Sequence, residues 1–161
     1  TRPTPKSVVD GLSITARHML SSPDGIHNFR GVRVFFEAGL ARHAALHATE
    51  QDLADFEAAL EDNRESIGDL GRFERTDVAF HYVLAEIPRN PIFTAIHAAF
   101  AEWLLEQRQT TLAPGVDVIS YNAHRAIFEA VAAGDPDRAE RAMREHLEFV
   151  AARYADVSEA L

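Results

Sequence analysis

Signals that start and end helices recur along the whole chain of 161 residues. Asn90-Pro91 and Asp135-Pro136 each place a capping residue before a proline, which is favoured at the first helical position because its missing N–H would be unpaired there. Gly134 is typical of the residue that follows a helix. No segment alternates polar and apolar residues for long enough to predict a strand. The pattern therefore predicts an all-α antiparallel bundle of about six to seven helices with short connections.

Short breaks divide the predicted helices. The first helix covers about residues 8–20, and a Ser-Ser-Pro-Asp-Gly break follows at 21–25. A long second helix ends near His47, and Thr49 caps the third. The remaining boundaries are Gly68 and Gly71 before a fourth helix from about Arg72, Pro91 at the start of the fifth, Ala113-Pro114-Gly115 before the sixth, and Pro136 at the start of the last.

Composition excludes several classes of protein. Hydrophobic residues make up 47% of the chain and charged residues 25%, which is ordinary for a globular domain. The longest uncharged stretch in a periodic segment, residues 91–101, is far shorter than the ~20 apolar residues of a membrane span. The absence of cysteine excludes a disulfide scaffold and a thiolate metal site. These features, with no recognisable signal peptide, predict a cytoplasmic protein.

The charge balance argues against direct contact with DNA. Sixteen basic and 25 acidic residues give a formal net charge of −9, whereas a domain that binds nucleic acid carries a basic face. The chain also begins with Thr1 instead of methionine. We therefore expect it to be part of a longer protein.

Ionisable residues lie on the apolar stripes of three predicted helices. Asp77 and His81 are four positions apart, and so one turn apart on the apolar face of the fourth helix. His124 is in line with the apolar residues of the sixth helix, and His146 with those of the last. One aspartate and three histidines form a donor set suited to a metal ion. The other interpretation is a hydrogen-bonded core in which Asp77 pairs with a histidine, and the spacing leaves both open.

The other histidines are weaker candidates. His43 and His47 are also four apart on one stripe, but no aspartate accompanies them, so we expect them not to bind metal. His97 borders an apolar stripe and its position is ambiguous. His18 and His27 are expected to be exposed.

Arg33 lies on an apolar stripe of the second helix. Glu37 follows it at i+4, so the two can form an ion pair. In a second interpretation the guanidinium points into the protein interior and offers its planar fork to a carboxylate ligand. Helix statistics favour the ion pair.

Three short motifs occur in order along the chain. They are Val32-Arg33 with Glu37, then TDVAFH at 76–81 followed by RNP at 89–91, and HRAIFEAVAAGDPDRAERAMREHL at 124–147. Together they resemble the FCD domain, the effector-binding C-terminal half of the FadR subfamily of GntR transcription regulators. The resemblance runs from about residue 29 to residue 154.

The resemblance implies a bundle around a central cavity that holds a divalent cation, most often zinc or nickel, beside a small organic acid or sugar acid. It also implies a homodimer and an N-terminal winged helix-turn-helix, absent from this chain, that binds operator DNA. Residues 1–25 would then be a linker and first helix, and 26–161 the ligand-binding and dimerisation domain. Carried over by motif, the metal ligands are Asp77, His81, His124 and His146, and the effector-binding residues are Arg33 and Asn90.

Three hypotheses follow for the function. The first is an effector-sensing domain of a transcription regulator, with no catalytic residues. The second is a metal-dependent helical-bundle enzyme, although the motifs Glu-x-x-His, His-Glu-x-x-His, Gly-x-Ser-x-Gly and the phosphate-binding loop are all missing. The third is a structural bundle whose histidines satisfy one another.

Overall fold

The computed structural model describes residues 22–108 and 114–159, together with residues 2, 4, 7, 10 and 11. This part of the chain contains six helices and no strand, which confirms the predicted all-α helical bundle. Most of the helix predicted at 8–20, and His18 with it, lies outside the described residues. The helices are α1 (Pro23–His47), α2 (Glu50–Glu65), α3 (Leu70–Glu86), α4 (Pro91–Arg108), α5 (Val116–Ala132) and α6 (Pro136–Glu159).

The start of α1 corrects the break predicted at residues 21–25. Ser22 is the capping residue, and its Oγ accepts a hydrogen bond of 3.1 Å from the Gly25 N–H. Pro23 occupies the first helical turn and Asp24 adds a negative charge near the positive end of the helix dipole. α1 therefore starts within the predicted break, with Pro23, Asp24 and Gly25 in its first turn.

Other helix ends follow the sequence signals closely. Thr49 and Asp52 form a capping box, each side chain bonding the other's backbone N–H. Asn90 Oδ1 accepts a hydrogen bond of 3.0 Å from the Ile92 N–H at the start of α4. Gly134 has φ +65° after α5, a conformation that glycine adopts without strain. The start of α3 is two residues earlier than predicted, because Asp69 caps it through the Arg72 N–H.

The hydrophobic core brings α1, α2, α3, α5 and α6 together. α1 packs mainly against α6, α6 against α5, and α3 against both α2 and α4. Phe56 of α2 stacks on Phe80 of α3 with ring centroids 4.6 Å apart. Phe80 in turn stacks on His124 at 4.4 Å, so the apolar core borders directly on a group of buried polar residues. Within the described part of the chain, no helix is both long and apolar enough to cross a bilayer.

Candidate metal centre

Four ionisable side chains from three helices meet in the interior. Asp77 and His81 lie one turn apart on α3, His124 lies on α5 and His146 on α6. All four are buried, and one ligand atom from each lies within 4.8 Å of the others. The structure thus brings together the same four residues that the sequence predicts on inward stripes.

The hydrogen bonds of His124 determine which of its nitrogens faces this group. His124 Nδ1 lies 2.8 Å from Asn63 Oδ1, and because a carbonyl oxygen accepts, Nδ1 carries the proton. In the neutral ring the lone pair is then on Nε2. That atom lies 3.2 Å from Asp77 Oδ1 and 3.2 Å from His146 Nε2. Nε2 therefore points to the point where the four side chains converge.

Asn63 is held in this orientation by α3. Its Nδ2 donates a hydrogen bond of 3.0 Å to Thr76 Oγ1, whose own hydroxyl lies 3.0 Å from the Phe73 carbonyl oxygen. The amide can therefore turn only its oxygen to His124. Sequence reasoning missed Asn63, although it continues the stripe of Phe56 and Leu60 on α2.

His81 meets a carboxylate on its other side. Its Nδ1 contacts Glu37 Oε2 of α1, and its Nε2 is buried with no hydrogen-bond partner among the described residues. Glu37 Oε1 accepts a hydrogen bond of 2.7 Å from Arg33 Nε, so the predicted Arg33–Glu37 ion pair is present. Sequence reasoning missed the contact of Glu37 with His81, because nothing in the spacing brings α1 to this face of α3.

Burial and neighbouring charges set the protonation of the group. Burial raises the pKa of Glu37, but Arg33 and His81 outweigh this and hold that pKa well below its ordinary value. Burial, followed by the positive charge that His124 and His81 carry when protonated, lowers the pKa of His146 well below its ordinary value. His146 is therefore a neutral imidazole near pH 7, the form that binds metal ions.

The donor set, and two of the distances within it, fit a transition-metal ion. Three imidazole nitrogens and one carboxylate oxygen are ligands of Zn²⁺ and of Ni²⁺. Ligands about 2.05 Å from a tetrahedral ion lie roughly 3.3 Å from one another. The two distances of 3.2 Å from His124 Nε2 agree with this spacing. The described residues thus include a His/Asp group that can hold a metal.

The remaining candidates lie elsewhere. His43 is half-buried and His47 exposed, and their rings contact each other 4.5 Å apart. His27 is exposed, as expected. Asn90 is an exposed cap of α4, and its role in effector binding stays a prediction. His97, ambiguous from sequence, is buried, and burial lowers its pKa to about 4.

Comparison with known proteins places the chain in a family. Residues 30–149 match the FCD domain. The chain belongs to the FCD family. The HTH-type transcriptional repressor NanR of Cronobacter sakazakii is 43% identical to this FCD domain over 163 residues, which cover 98% of the chain and 62% of that repressor. NanR of Escherichia coli K12 and NanR of Shigella flexneri are 43% identical over 156 residues, covering 95% of the chain and 59% of each repressor.

These relatives are transcriptional repressors of the HTH type. The resemblance to the FCD domain of a GntR-type regulator is therefore confirmed. The chain spans about three fifths of the length of the curated relatives that it matches.

Proposed function

We propose that this FCD domain senses a small organic acid or sugar acid with the help of a divalent metal ion. Binding of the acid would modulate operator binding by an N-terminal DNA-binding domain outside these 161 residues. Zinc and nickel suit the available donors. The residues that would hold the metal are Asp77, His81, His124 and His146.

One observation carries the proposal: four possible ligand atoms from three helices converge in a buried site. His124 Nε2 faces Asp77 Oδ1 and His146 Nε2 at 3.2 Å each, while its own proton is on the side of Asn63. A proton on His124 Nε2 would make this ring an imidazolium paired with Asp77, and a metal ion would take the place of that proton between the same atoms. A cation attracts all of these donor atoms at once, so the arrangement favours a metal ion.

The charge balance of the site favours an anionic effector. Arg33 offsets Glu37, and Asp77 offsets half of the charge of a divalent ion. When bound, the metal supplies a fixed positive charge that attracts a carboxylate. One positive charge then remains in the interior, and a monoanionic acid would neutralise it.

Arg33 is the proposed second contact of the effector. Its Nε–H is engaged by Glu37, but a guanidinium carries two further NH₂ groups that can meet a carboxylate. Arg33 is buried, so such a contact would be made away from bulk water. We keep Asn90 as a proposed contributor at the start of α4.

The regulatory step follows from linkage. An effector changes DNA binding only if it binds one arrangement of the protein more tightly than another. We infer that the full protein acts as a cytoplasmic homodimer, in which the acid shifts the arrangement of two such bundles. The sequence similarity to the NanR repressors supports this inference.

Calorimetry with a panel of organic acids and sugar acids tests the proposal, run on metal-loaded and metal-stripped protein. We expect at least one acid to bind the loaded form at least tenfold more tightly. Equal affinity of every binding acid for the two forms would contradict the role of the metal. Failure of the whole panel to bind the loaded form would contradict acid sensing.

A further inference from the structure

Glu37 connects α1 to the candidate metal centre. Its side chain is only 2% exposed, and each of its oxygens is engaged by a different neighbour. Oε1 accepts the hydrogen bond from Arg33 Nε at 2.7 Å, and Oε2 contacts His81 Nδ1. Arg33, Glu37 and His81 thus form a continuous chain of polar contacts through the interior.

The position of Glu37 selects one tautomer of His81. A neutral imidazole has one N–H and one lone pair, and the nitrogen that faces a carboxylate carries the proton. His81 Nδ1 faces Glu37, so the lone pair belongs to Nε2. That atom is buried without a hydrogen-bond partner among the described residues. It is the atom that His81 would present to a metal.

We propose that Glu37 is the positioning residue of the metal centre. It keeps the proton of His81 on Nδ1 and turns the Nε2 lone pair toward the metal, while Arg33 holds Glu37 in place and balances its charge. The inference rests on the metal-binding function proposed above. It parallels Asn63, which acts on His124 in the same way.

Arg33 consequently contributes to both the metal centre and the proposed effector site. It supports a metal ligand through Glu37 and faces the effector through its remaining NH₂ groups. An effector that binds Arg33 would change how firmly Arg33 holds Glu37. The effector would then change the affinity for the metal, and the metal would change the affinity for the effector by the same factor.

Two variants separate this role from simple packing. Glu37→Gln keeps the shape of the side chain and removes its charge. The double variant Arg33→Met/Glu37→Leu replaces the buried ion pair by apolar side chains of similar size, a change that proteins often tolerate without loss of stability. Glu61→Gln is the matched control, because Glu61 is exposed and pairs with Arg64 on the surface.

Three measurements are made on each variant. Long-range ¹H–¹⁵N NMR of the metal-stripped chain reports which nitrogen of His81 carries the proton. Competition with a chromophoric chelator gives the affinity for Zn²⁺ alone, and circular dichroism checks the fold.

We expect the Nδ1–H tautomer in the parent and in Glu61→Gln, and its loss in both Glu37 variants. In Glu37→Gln the amide oxygen would accept from Arg33 Nε–H, which turns the NH₂ group to His81 Nδ1, and in the double variant leucine offers no acceptor. Zinc affinity should fall about 10–100-fold in those variants and stay unchanged in the control. An Nε2–H tautomer in the parent, or a folded double variant that binds Zn²⁺ within twofold of the parent, would overturn the role of Glu37 alone. A parent that binds neither Zn²⁺ nor Ni²⁺ would overturn the metal-binding function and this inference with it.

Discussion

The Nε2 atoms of His124 and His146 lie 3.2 Å apart in the interior, on two different helices. Asn63 accepts a hydrogen bond from the opposite nitrogen of His124, so in the neutral ring the Nε2 lone pair is directed to His146. Asp77 Oδ1 also lies 3.2 Å from His124 Nε2. A cation at this point, either a proton on His124 Nε2 or a metal ion, attracts all three atoms, and the metal-binding predictions below depend on the metal ion.

Asn63→Ala should weaken metal binding without removing a ligand. His124 loses the acceptor that fixes its tautomer, so zinc affinity should fall about 10–100-fold. The variant also leaves the buried His124 Nδ1–H unpaired, which should lower the free energy of unfolding by about 1–3 kcal/mol. Zinc competition and urea unfolding measure the two effects. Asn122→Ala is the control, because Asn122 is exposed on α5, and an equal loss in both variants would contradict the role of Asn63.

Acid should destabilise the metal-stripped chain through His97. Burial lowers the pKa of His97 from 6.5 to about 4. Between these two pH values His97 is protonated in the unfolded chain but neutral in the folded chain, so acid favours unfolding. The free energy of unfolding should therefore fall by about 2 kcal/mol between pH 7 and pH 5 from this residue. His146 acts in the same direction, because its pKa is also lowered.

His97→Phe removes that contribution and should make stability less dependent on pH. Urea unfolding of parent and variant at pH 7 and pH 5 measures the difference, with His27→Phe as an exposed control. The same loss of stability between the two pH values in parent and His97→Phe would show that His97 does not resist protonation in the folded chain.

Arg33→Met should affect both the acid and the metal. Loss of a charged hydrogen bond should weaken binding of the best acid of the panel by about 1.5–3 kcal/mol. Because Glu37 loses its partner, zinc affinity should fall as well. Arg64→Met, which changes an exposed surface pair, should change neither. Calorimetry measures acid binding and chelator competition measures zinc binding, and unchanged acid binding in Arg33→Met would reduce Arg33 to a partner of Glu37.

Sequence reasoning could predict what depends on local spacing. Capping signals at Thr49 and Asn90 place helix starts, and the four-residue step from Asp77 to His81 fixes their common face. Inward stripes then bring His124 and His146 to the same interior. These inferences hold because a helix determines the direction of each side chain.

Contacts between helices could not be predicted in the same way. The approach of Glu37 to His81 depends on how α1 lies against α3, and the bond of Asn63 to His124 depends on the packing of α2 against α5. Both partners are far apart in sequence, so periodicity carries no information about them. The stripe of Phe56 and Leu60 does show that Asn63 faces inward, but not which group it meets.

Titration of the metal-stripped chain with Zn²⁺ tests the central claim most directly. The four converging donors predict one site per chain, which His124→Ala loses and His27→Ala keeps. Zinc at 100 times its dissociation constant should stabilise the parent by about 2.7 kcal/mol, and His124→Ala should gain none of this. No saturable zinc site in the parent, or a site that survives His124→Ala and disappears in His43→Ala, would contradict the account.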